Sequence, residues 1–332
     1  MSAVVEYPPA GLGHDAGPGH PERPARLRAV VAGIEAAGLG ADVEWVTPRA
    51  ATVEEVALVH DPGHIEAVRR FSERGGGMLT LDTGAGPRSW DAALAAAGAV
   101  LDAGERQRAA FCAVRPPGHH ATAGQAQGFC LFNNVAVGAA ALAARGERVL
   151  VVDWDAHHGN GTQDLFYADD RVLYVSMHQW PLYPFTGGAD ETGTGPGAGH
   201  TVNFPLPPGA TGDVYQAAMD VVGRVSARFE PTWALVSSGF DSHRDDILED
   251  TALGLTSGDY AALTRRVAEL VPPGRCVVVL EGGYDLDALA NSSAAVVAAL
   301  AGRHDFQPAE PATSGGPGLD AVATTTRLAP LA

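Results

Sequence analysis

Residues 149–163 read VLVVDWDAHHGNGTQ, and this stretch decides how the rest of the chain is interpreted. Its first residues form an apolar run typical of a buried strand, and its last residues include the glycines that end strands. Between them lie two carboxylates and two imidazoles, at Asp153, Asp155, His157 and His158. In extended backbone Asp153, Asp155 and His157 would share one side. Glycines alone would make an Asp-rich turn, so this cluster indicates a metal site at the carboxyl end of a strand.

Similar apolar runs alternate with alanine-rich helical patterns along most of the chain. The predicted strands are 109–114, 148–152, 172–176, 233–238 and 276–280. The predicted helices are 89–103, 133–145, 213–229, 258–271 and 286–300. This alternation predicts one α/β domain over residues 1–332, with a mostly parallel sheet covered by helices on both faces. Residues 307–318, QPAEPATSGGPG, are interpreted as a loop or linker before a short C-terminal helix.

The composition restricts the classes of function. The chain has 332 residues, is 46% hydrophobic and carries a formal net charge of −17, which argues against a nucleic-acid surface. No apolar run approaches the ~20 residues of a membrane span, and the N-terminus lacks a signal peptide. Cys112, Cys130 and Cys276 show no CxxC pairing, as expected of buried thiols in a reducing compartment. We therefore expect a cytoplasmic protein without nucleic-acid or membrane partners; monomer and homo-oligomer both remain open.

Four of the predicted strands run directly into loops rich in reactive side chains. These loops are RPPGHHA at 115–121, DWDAHHGNG at 153–161, GFDSHRDD at 239–246 and EGGYD at 281–285. In open α/β sheets, ligands bind beyond the carboxyl ends of the strands. The sequence therefore predicts that the four loops meet at one rim of the sheet.

A candidate metal site combines two of these loops. Asp155 and His157 come from one loop and Asp241 from another, giving two carboxylates and one imidazole. Three protein ligands and an open position describe a catalytic zinc site, although an Fe(II) site with these ligands is also chemically feasible. For Asp241 alone, capping of the following helix is an alternative role.

The candidates for proton transfer and carbonyl activation are His119, His120 and Tyr284. Prolines and a glycine precede the histidine pair and favour a rigid loop, and Asp153 is available to orient one of the rings. One histidine would take a proton from water and the other would protonate a leaving nitrogen. Tyr284, after two glycines, would donate a hydrogen bond to a developing oxyanion. Loop histidines without a role and a half-buried packing tyrosine are the alternatives.

Five segments in order, PPGHHA, GFCLFNN, DWDAHHGNGTQ, SGFDSHRDDIL and EGGYD, resemble those of the zinc-dependent histone deacetylase family. The resemblance extends from residue 20 to about residue 300 and includes the bacterial histone-deacetylase-like amidohydrolases and acetylpolyamine amidohydrolases. It implies an arginase–deacetylase fold with about eight parallel strands, and zinc at Asp155, His157 and Asp241. It also implies His119 and His120 as acid and base, with His120 favoured as the base, and Tyr284 as the group that polarises the carbonyl.

The resemblance also implies roles for residues around the metal. Asn160 resembles the residue that class II members carry after the histidine pair. Candidate substrate-binding residues are Asp82, Gly128, Phe129, Tyr183 and Leu248. A structural potassium site is implied at Asp153, Asp155, His157, Ser176 and Met177. Gly128, Phe129 and Tyr183 would line a narrow tunnel for the acylated side chain. They could equally belong to the core.

The sequence thus predicts a zinc-dependent amidohydrolase that removes acetyl or another short acyl group from an amine, such as acyl-lysine or an acylpolyamine. A catalytically silent protein that binds acyl-amines is the alternative from another class. An arginase-type ureohydrolase is a third interpretation. It needs bridging carboxylates for two manganese ions, and GFDSHRDD lacks the required Asp-x-Asp spacing around Asp241.

Overall fold

The computed structural model describes residues 2–329. Within this range the chain forms ten strands: β1 (Ala3–Glu6), β2 (Val43–Val46), β3 (Gly77–Met78), β4 (Gly84–Ala85), β5 (Ala110–Cys112), β6 (Val149–Asp153), β7 (Val172–Gln179), β8 (Thr201–Leu206), β9 (Trp233–Ser238) and β10 (Cys276–Leu280). Eight of them form one sheet in the order β2-β1-β5-β10-β9-β6-β7-β8, and every neighbouring pair is parallel. β3 and β4 form a separate antiparallel ribbon. The predicted parallel α/β architecture is confirmed.

Ten α-helices connect and cover these strands within the described residues. They are α1 (Pro24–Ala36), α2 (Val53–Val56), α3 (Pro62–Glu73), α4 (Ser89–Arg106), α5 (Asn134–Ala144), α6 (Asn160–Phe166), α7 (Gly212–Phe229), α8 (Ser257–Ala268), α9 (Leu286–Leu300) and α10 (Leu319–Leu328). Residues 307–318 have no regular structure, and α10 follows them. No helix among residues 2–329 combines the length and the apolar character that a membrane crossing requires.

The interior strands are buried along their whole length. Every residue of β6, β7, β9 and β10 is buried, so both faces of the sheet are covered, as parallel sheets require. α4 packs on α5, and α9 packs on both α1 and α8. These layers enclose a large apolar core built mainly of valine, leucine and alanine side chains.

The apolar runs of the sequence predict five strands of the sheet, and three more, β1, β2 and β8, add to it. β2 and β8 are its edges, and β8 includes Pro205, which an edge strand tolerates because one side of it makes no ladder hydrogen bonds. β1 has only four residues, too few for a periodic pattern to emerge.

The sheet order brings the four functional loops together. β5, β10, β9 and β6 are consecutive neighbours, and all run in the same direction. Asp153 at the end of β6 pairs with Ser237 near the end of β9, so the carboxyl ends are level. The predicted meeting of the four loops at one rim is confirmed.

Candidate active site

The three proposed metal ligands meet just beyond the ends of β6 and β9. Nδ1 of His157 lies 3.1 Å from Oδ1 of Asp155 and 3.2 Å from Oδ2 of Asp241. All three side chains are buried. Asp241 does not cap a helix, because the next helix, α8, begins only at Ser257.

Backbone groups fix both carboxylates. Oδ1 of Asp155 accepts a hydrogen bond from the N–H of His157 (2.9 Å), and its Oδ2 accepts one from Gly282 (3.0 Å). Oδ1 of Asp241 accepts from the N–H of Ala156 at 2.9 Å. A Cβ at Gly282 would lie 2.7 Å from Oδ2 of Asp155, so the loop after β10 approaches the site as closely as a glycine permits. The ligands are therefore oriented before any ion binds.

The spacing and charge of the three groups fit a small divalent cation. Tetrahedral zinc with ligand bonds of about 2.0–2.1 Å separates its ligand atoms by about 3.3 Å, close to the distances around His157 Nδ1. Burial lowers the pKa of His157, but Asp155 and Asp241 outweigh it and raise the pKa well above its ordinary value. Two buried carboxylates beside one imidazole need a positive charge to compensate them, and a bound cation would supply it.

The two histidines after β5 have different hydrogen-bond partners. Nδ1 of His119 lies 3.0 Å from Oδ2 of Asp153, a carboxylate that also accepts from the hydroxyl of Tyr174 at 3.2 Å. Nδ1 of His120 lies 2.8 Å from the amide oxygen of Asn160. Each Nδ1 therefore carries a proton that it donates, and Nε2 is the nitrogen left for chemistry.

The surroundings of the two rings also favour different protonation states. Burial lowers the pKa of His119, but Asp155 and Asp153 together outweigh burial and raise it to about 10. Burial, with His119 and His157 nearby, lowers the pKa of His120 well below its ordinary value. The ring centroids are 4.0 Å apart, so one site holds an imidazole that favours the charged form beside one that favours the neutral form.

Tyr284 is held at the same rim by groups on both sides. Its N–H donates to Oδ2 of Asp246 (2.7 Å), and the guanidinium carbon of Arg26 lies 4.8 Å from its ring centroid. Asp285 caps α9 by accepting from the N–H of Ala288 at 2.8 Å. Burial raises the pKa of Tyr284 and Arg26 lowers it, with the net value well above the ordinary one. The phenol therefore remains protonated and can donate a hydrogen bond.

A cavity of about 240 Å³ opens above the candidate metal ligands. His119, His120 and Tyr284 line it together with the metal ligands, whereas Asp153 and Asn160 lie behind the histidines. All five substrate-binding candidates also line it: Asp82, Gly128, Phe129, Tyr183 and Leu248. The structure therefore brings every predicted catalytic, metal-binding and substrate-binding residue to one place.

The walls of the cavity are closely fitted to the histidines. The ring of Tyr183 packs edge-on against His120, with centroids 5.2 Å apart. Gly128 has φ +55°, and a Cβ there would lie 2.6 Å from Cγ of His120. The N–H of Gly128 donates to Oδ2 of Asp82 at 3.2 Å, which holds that carboxylate at the wall. These contacts make Gly128 a position that no larger residue can occupy without moving His120.

Two residues of the implied potassium site, Ser176 and Met177, lie in β7, next to the strand that carries Asp153. Ser176 is opposite Asp153 in the β6–β7 register, and its hydroxyl is bonded to Nδ1 of His178 at 2.8 Å. Met177 follows in β7 and is buried. These contacts do not test potassium binding, which stays a prediction.

Glu281 is a functional candidate that the sequence motifs alone do not identify. Its Oε2 accepts from the N–H groups of Gly118 (2.6 Å) and His119 (3.2 Å), and its Oε1 accepts from the hydroxyl of Ser237 (3.1 Å). Burial raises its pKa to about 7. Glu281 therefore fixes the histidine loop from the end of β10. The motif EGGYD contains it, but only the fold reveals its partners.

A buried ionic cluster around Arg26 holds the backbone of residues 281–283, which precede Tyr284. The guanidinium of Arg26 donates to the carbonyl oxygens of Gly283 and Glu281, both at 2.6 Å, and to Glu22 at 3.0 Å. Glu22 also pairs with Arg115. The segment HPERP at 20–24 contains Glu22, but nothing in the sequence indicates its partners.

Comparisons with known proteins agree with this geometry. Residues 20–300 match the family model described as the histone deacetylase domain. The chain is 40% identical over 304 residues to a protein of Archaeoglobus fulgidus named "Probable deacetylase", covering 88% of this chain and 84% of that one. It is 39% identical over 308 residues to the histone deacetylase-like amidohydrolase of Pseudomonas aeruginosa, covering 89% and 79%.

A solved structure shows the same fold. The crystal structure of the HDA15 HD domain superposes with a TM-score of 0.89 at 36% identity and covers 98% of this chain and 94% of that chain. Both the fold and the sequence matches extend across the catalytic loops described above. The chain therefore belongs to the histone deacetylase family, whose named relatives are deacetylases and amidohydrolases.

Proposed function

We propose that the protein is a zinc-dependent amidohydrolase that removes acetyl or another short acyl group from an amine. The observation that carries the proposal is the convergence, around one cavity of about 240 Å³, of a ligand set, a histidine pair and a buried phenol. Asp155, His157 and Asp241 would hold the ion. Zinc so held supplies Lewis acidity toward the amide carbonyl and makes water more acidic.

His120 is proposed as the general base. Its Nδ1–H is donated to the Asn160 amide, so the Nε2 lone pair faces the cavity and can take a proton from water. A neutral amide behind the ring fixes its orientation without adding the charge that a carboxylate would add.

His119 is proposed as the general acid. Its Nδ1–H is donated to the Asp153 carboxylate, which favours the imidazolium form and leaves an Nε2–H to protonate the departing amine. Glu281 holds the backbone of this loop at Gly118 and His119, so it acts as a positioning residue.

The Tyr284 hydroxyl is proposed to donate a hydrogen bond to the carbonyl oxygen of the substrate as negative charge develops there. Its environment keeps the proton on the phenol, and removal of one such donor costs about 10²–10³ in kcat in other hydrolases. The cavity walls at Gly128, Phe129 and Tyr183 would admit a linear side chain.

The substrate class is proposed to be an acylated primary amine carried on a flexible chain, such as acyl-lysine or an acylpolyamine. Asp82 and Asp250 line the cavity, and the net charge of −17 adds long-range attraction for cationic molecules. The same charge supports the proposal that nucleic acids are not partners. We also propose that the protein works in the cytoplasm, because its three cysteines are buried free thiols, as expected in a reducing compartment.

Two other functions find less support. A silent acyl-amine binder would not need an oriented histidine pair beside a protonated phenol. A ureohydrolase needs ligands that bridge two ions. Among residues 2–329 the second group able to hold a cation, His243, Asp245 and Glu310, shares no residue with the first.

The test is hydrolysis of a matched panel by zinc-loaded protein: acetyl-lysine peptides, acetylputrescine and acetylspermine. We expect turnover that is lost in chelator and restored by zinc, with Fe(II) added in a parallel reaction to identify the preferred metal. His157→Ala should lose both bound metal and turnover. Full activity in persistent chelator would overturn the metal-dependent function, and absence of turnover on every substrate would favour the silent binder.

A further inference from the structure

One loop at the mouth of the cavity is hydrogen-bonded to a C-terminal residue that follows the range matched by the family model, residues 20–300. This rim loop, residues 243–251, follows β9 and precedes α8. Leu248 and Asp250 from this loop line the cavity, and Ile247 between its anchors is 57% exposed. The rim loop therefore places Ile247 and Leu248 at the mouth, among the acidic residues Asp245, Asp246, Glu249 and Asp250.

The anchor is Glu310 in the C-terminal strap, which we define as residues 305–318. The strap lies beyond residues 20–300, the range that matches the family model. Oε2 of Glu310 is 2.9 Å from Nε2 of His243, and Oε1 is 3.0 Å from Nη2 of Arg244. The first two residues of the rim loop thus share one carboxylate from a distant part of the chain.

Neighbouring hydrogen bonds determine that His243 is the donor and Glu310 the acceptor in this contact. The N–H of Asp245 donates to Nδ1 of His243 at 3.2 Å, so the His243 proton sits on Nε2 and is donated to Glu310. The side chain of His243 is 1% exposed and that of Glu310 is 18% exposed, so solvent competes little for the bond. Burial raises the pKa of Glu310, but His243 and Arg244 outweigh burial and lower it. The Arg244 cation makes the cluster an ionic anchor rather than a metal site.

The strap is itself rigidly held, so Glu310 is a fixed point. The hydroxyl of Thr256 donates to the carbonyl of Pro311 at 2.7 Å, and the N–H of Thr313 donates to Oδ1 of Asp259 at 3.0 Å. The N–H of Glu310 donates to the hydroxyl of Ser257 at 3.1 Å. These bonds join the strap to the start of α8.

The far end of the rim loop is anchored by different residues. Nε2 of Gln179 donates to the carbonyl of Asp250 at 2.8 Å, and Oδ1 of Asp246 accepts from the N–H of Leu248 at 3.1 Å. Oδ2 of Asp246 accepts from the N–H of Tyr284. Loss of Glu310 would therefore loosen the first part of the rim loop while the catalytic residues keep their own contacts.

Other exposed apolar residues lie next to cavity-lining positions on two further loops. Leu81 precedes Asp82, and Phe185 follows Tyr183 by two residues; both are largely exposed. Together with Ile247 they give the mouth an apolar border. Apolar side chains beside the acylated chain would gain contacts with this border, whereas a polyamine offers only methylenes between ammonium groups.

We propose that Glu310 is a positioning residue that holds the first part of the rim loop at His243 and Arg244 and thereby keeps Ile247 at the mouth, where it contacts apolar residues flanking an acyl-lysine in a peptide. This inference rests on the proposed deacylase function and concerns the recognition of residues that flank the acyl-lysine. A free acylpolyamine lacks such flanking residues and gains nothing from the anchor.

The test compares Glu310→Ala and Glu310→Gln with the control Asp305→Ala, a strap carboxylate that pairs with Arg303 and does not touch the rim loop. The substrates are acetyl-lysine peptides flanked by leucine or by glycine, and acetylputrescine. For Glu310→Ala we expect KM to rise about tenfold for the leucine-flanked peptide only, with kcat within twofold, as for loss of one apolar contact. Glu310→Gln, which keeps an oxygen for His243, should fall between wild type and Glu310→Ala.

Hydrogen exchange of residues 243–251 provides a readout that does not need turnover. We expect faster exchange there in Glu310→Ala and unchanged exchange in Asp305→Ala. Unchanged exchange in Glu310→Ala, or an equal loss of activity on all three substrates, would overturn the proposal. If wild type hydrolyses none of the substrates, the proposed function and the substrate class both fail, whereas the exchange result still decides whether Glu310 positions the rim loop.

Discussion

Replacement of Gly128 by alanine tests whether catalysis depends on the position of the His120 ring. A control variant accounts for the effect of the substitution on stability. A Cβ at position 128 would lie 2.6 Å from Cγ of His120 and 2.9 Å from its Cβ, whereas ordinary contacts begin at 3.4 Å. The ring must therefore move by about 1 Å, and a displacement of this size costs about 10² in rate when it affects a catalytic group. Such a movement would also stretch the 2.8 Å hydrogen bond to Asn160.

The substitution carries a second cost that a control can isolate. Gly128 has φ +55°, and alanine in that left-handed region costs about 1 kcal/mol. Gly146 has φ +84°, and a Cβ there would have no atom within 4 Å, so Gly146→Ala carries the conformational cost without the collision. We expect Gly146→Ala to lower Tm by about 2 °C through the backbone alone, and Gly128→Ala to lower it further because of the collision with His120.

The assay is kcat on the best peptide of the panel, with bound metal measured in the same samples. Gly128→Ala should show kcat lowered about 10²-fold and normal metal content, whereas Gly146→Ala should match wild type in both. A kcat for Gly128→Ala within threefold of that of Gly146→Ala would show that His120 does not depend on this contact.

Three further predictions concern single side chains. Tyr284→Phe should lower kcat about 10²–10³-fold at unchanged metal content, measured by steady-state kinetics; an unchanged rate removes the phenol from the mechanism. His120→Ala should abolish most turnover and keep zinc, and loss of zinc on metal analysis would show the ligand set to be wrong. Burial and His64 lower the pKa of His60 to about 4, against about 6.5 unfolded, so the unfolded chain binds more protons between these values. The contribution of His60 to the free energy of unfolding is therefore fully present above pH 6.5 and declines as pH falls toward 4. The decline amounts to about 2 kcal/mol between pH 7 and pH 5. The free energy of unfolding of His60→Gln, measured with urea, should lack this part of the pH dependence. A variant whose stability depends on pH as strongly as that of wild type would contradict the prediction.

The centre of the fold is predictable from sequence because fully buried strands have a simple signature. β9 and β10 have the predicted bounds, since each contains an apolar run between turn residues: WALV at the start of β9 and CVVVL throughout β10. The edge strand β2 has only four residues, none of which is buried, and β8 contains a proline. Edge strands are defined by a neighbour rather than by their own composition, so local patterns do not identify them.

The candidate site is predictable where the reactive residues follow a strand directly. Asp155, His157 and Asp241 do so, and the sheet order brings them together. The residues that hold them are not predictable, because their partners are distant in sequence. Arg26 bonds to Glu281 across 255 positions, and Glu310 reaches His243 across 67. Only the tertiary fold establishes such pairs.

The sheet order also governs when the site can exist during synthesis. The strands that carry the four loops lie side by side in the order β5, β10, β9, β6, but β10 is made last of the ten. A nascent chain has no complete ligand set until Asp241 has emerged, and it cannot insert β10 between β5 and β9 until Leu280 is available. Loading of the proposed metal site would therefore have to follow translation of most of the chain. Products truncated before β10 lack this interior strand, so we expect them to have none of the proposed activity.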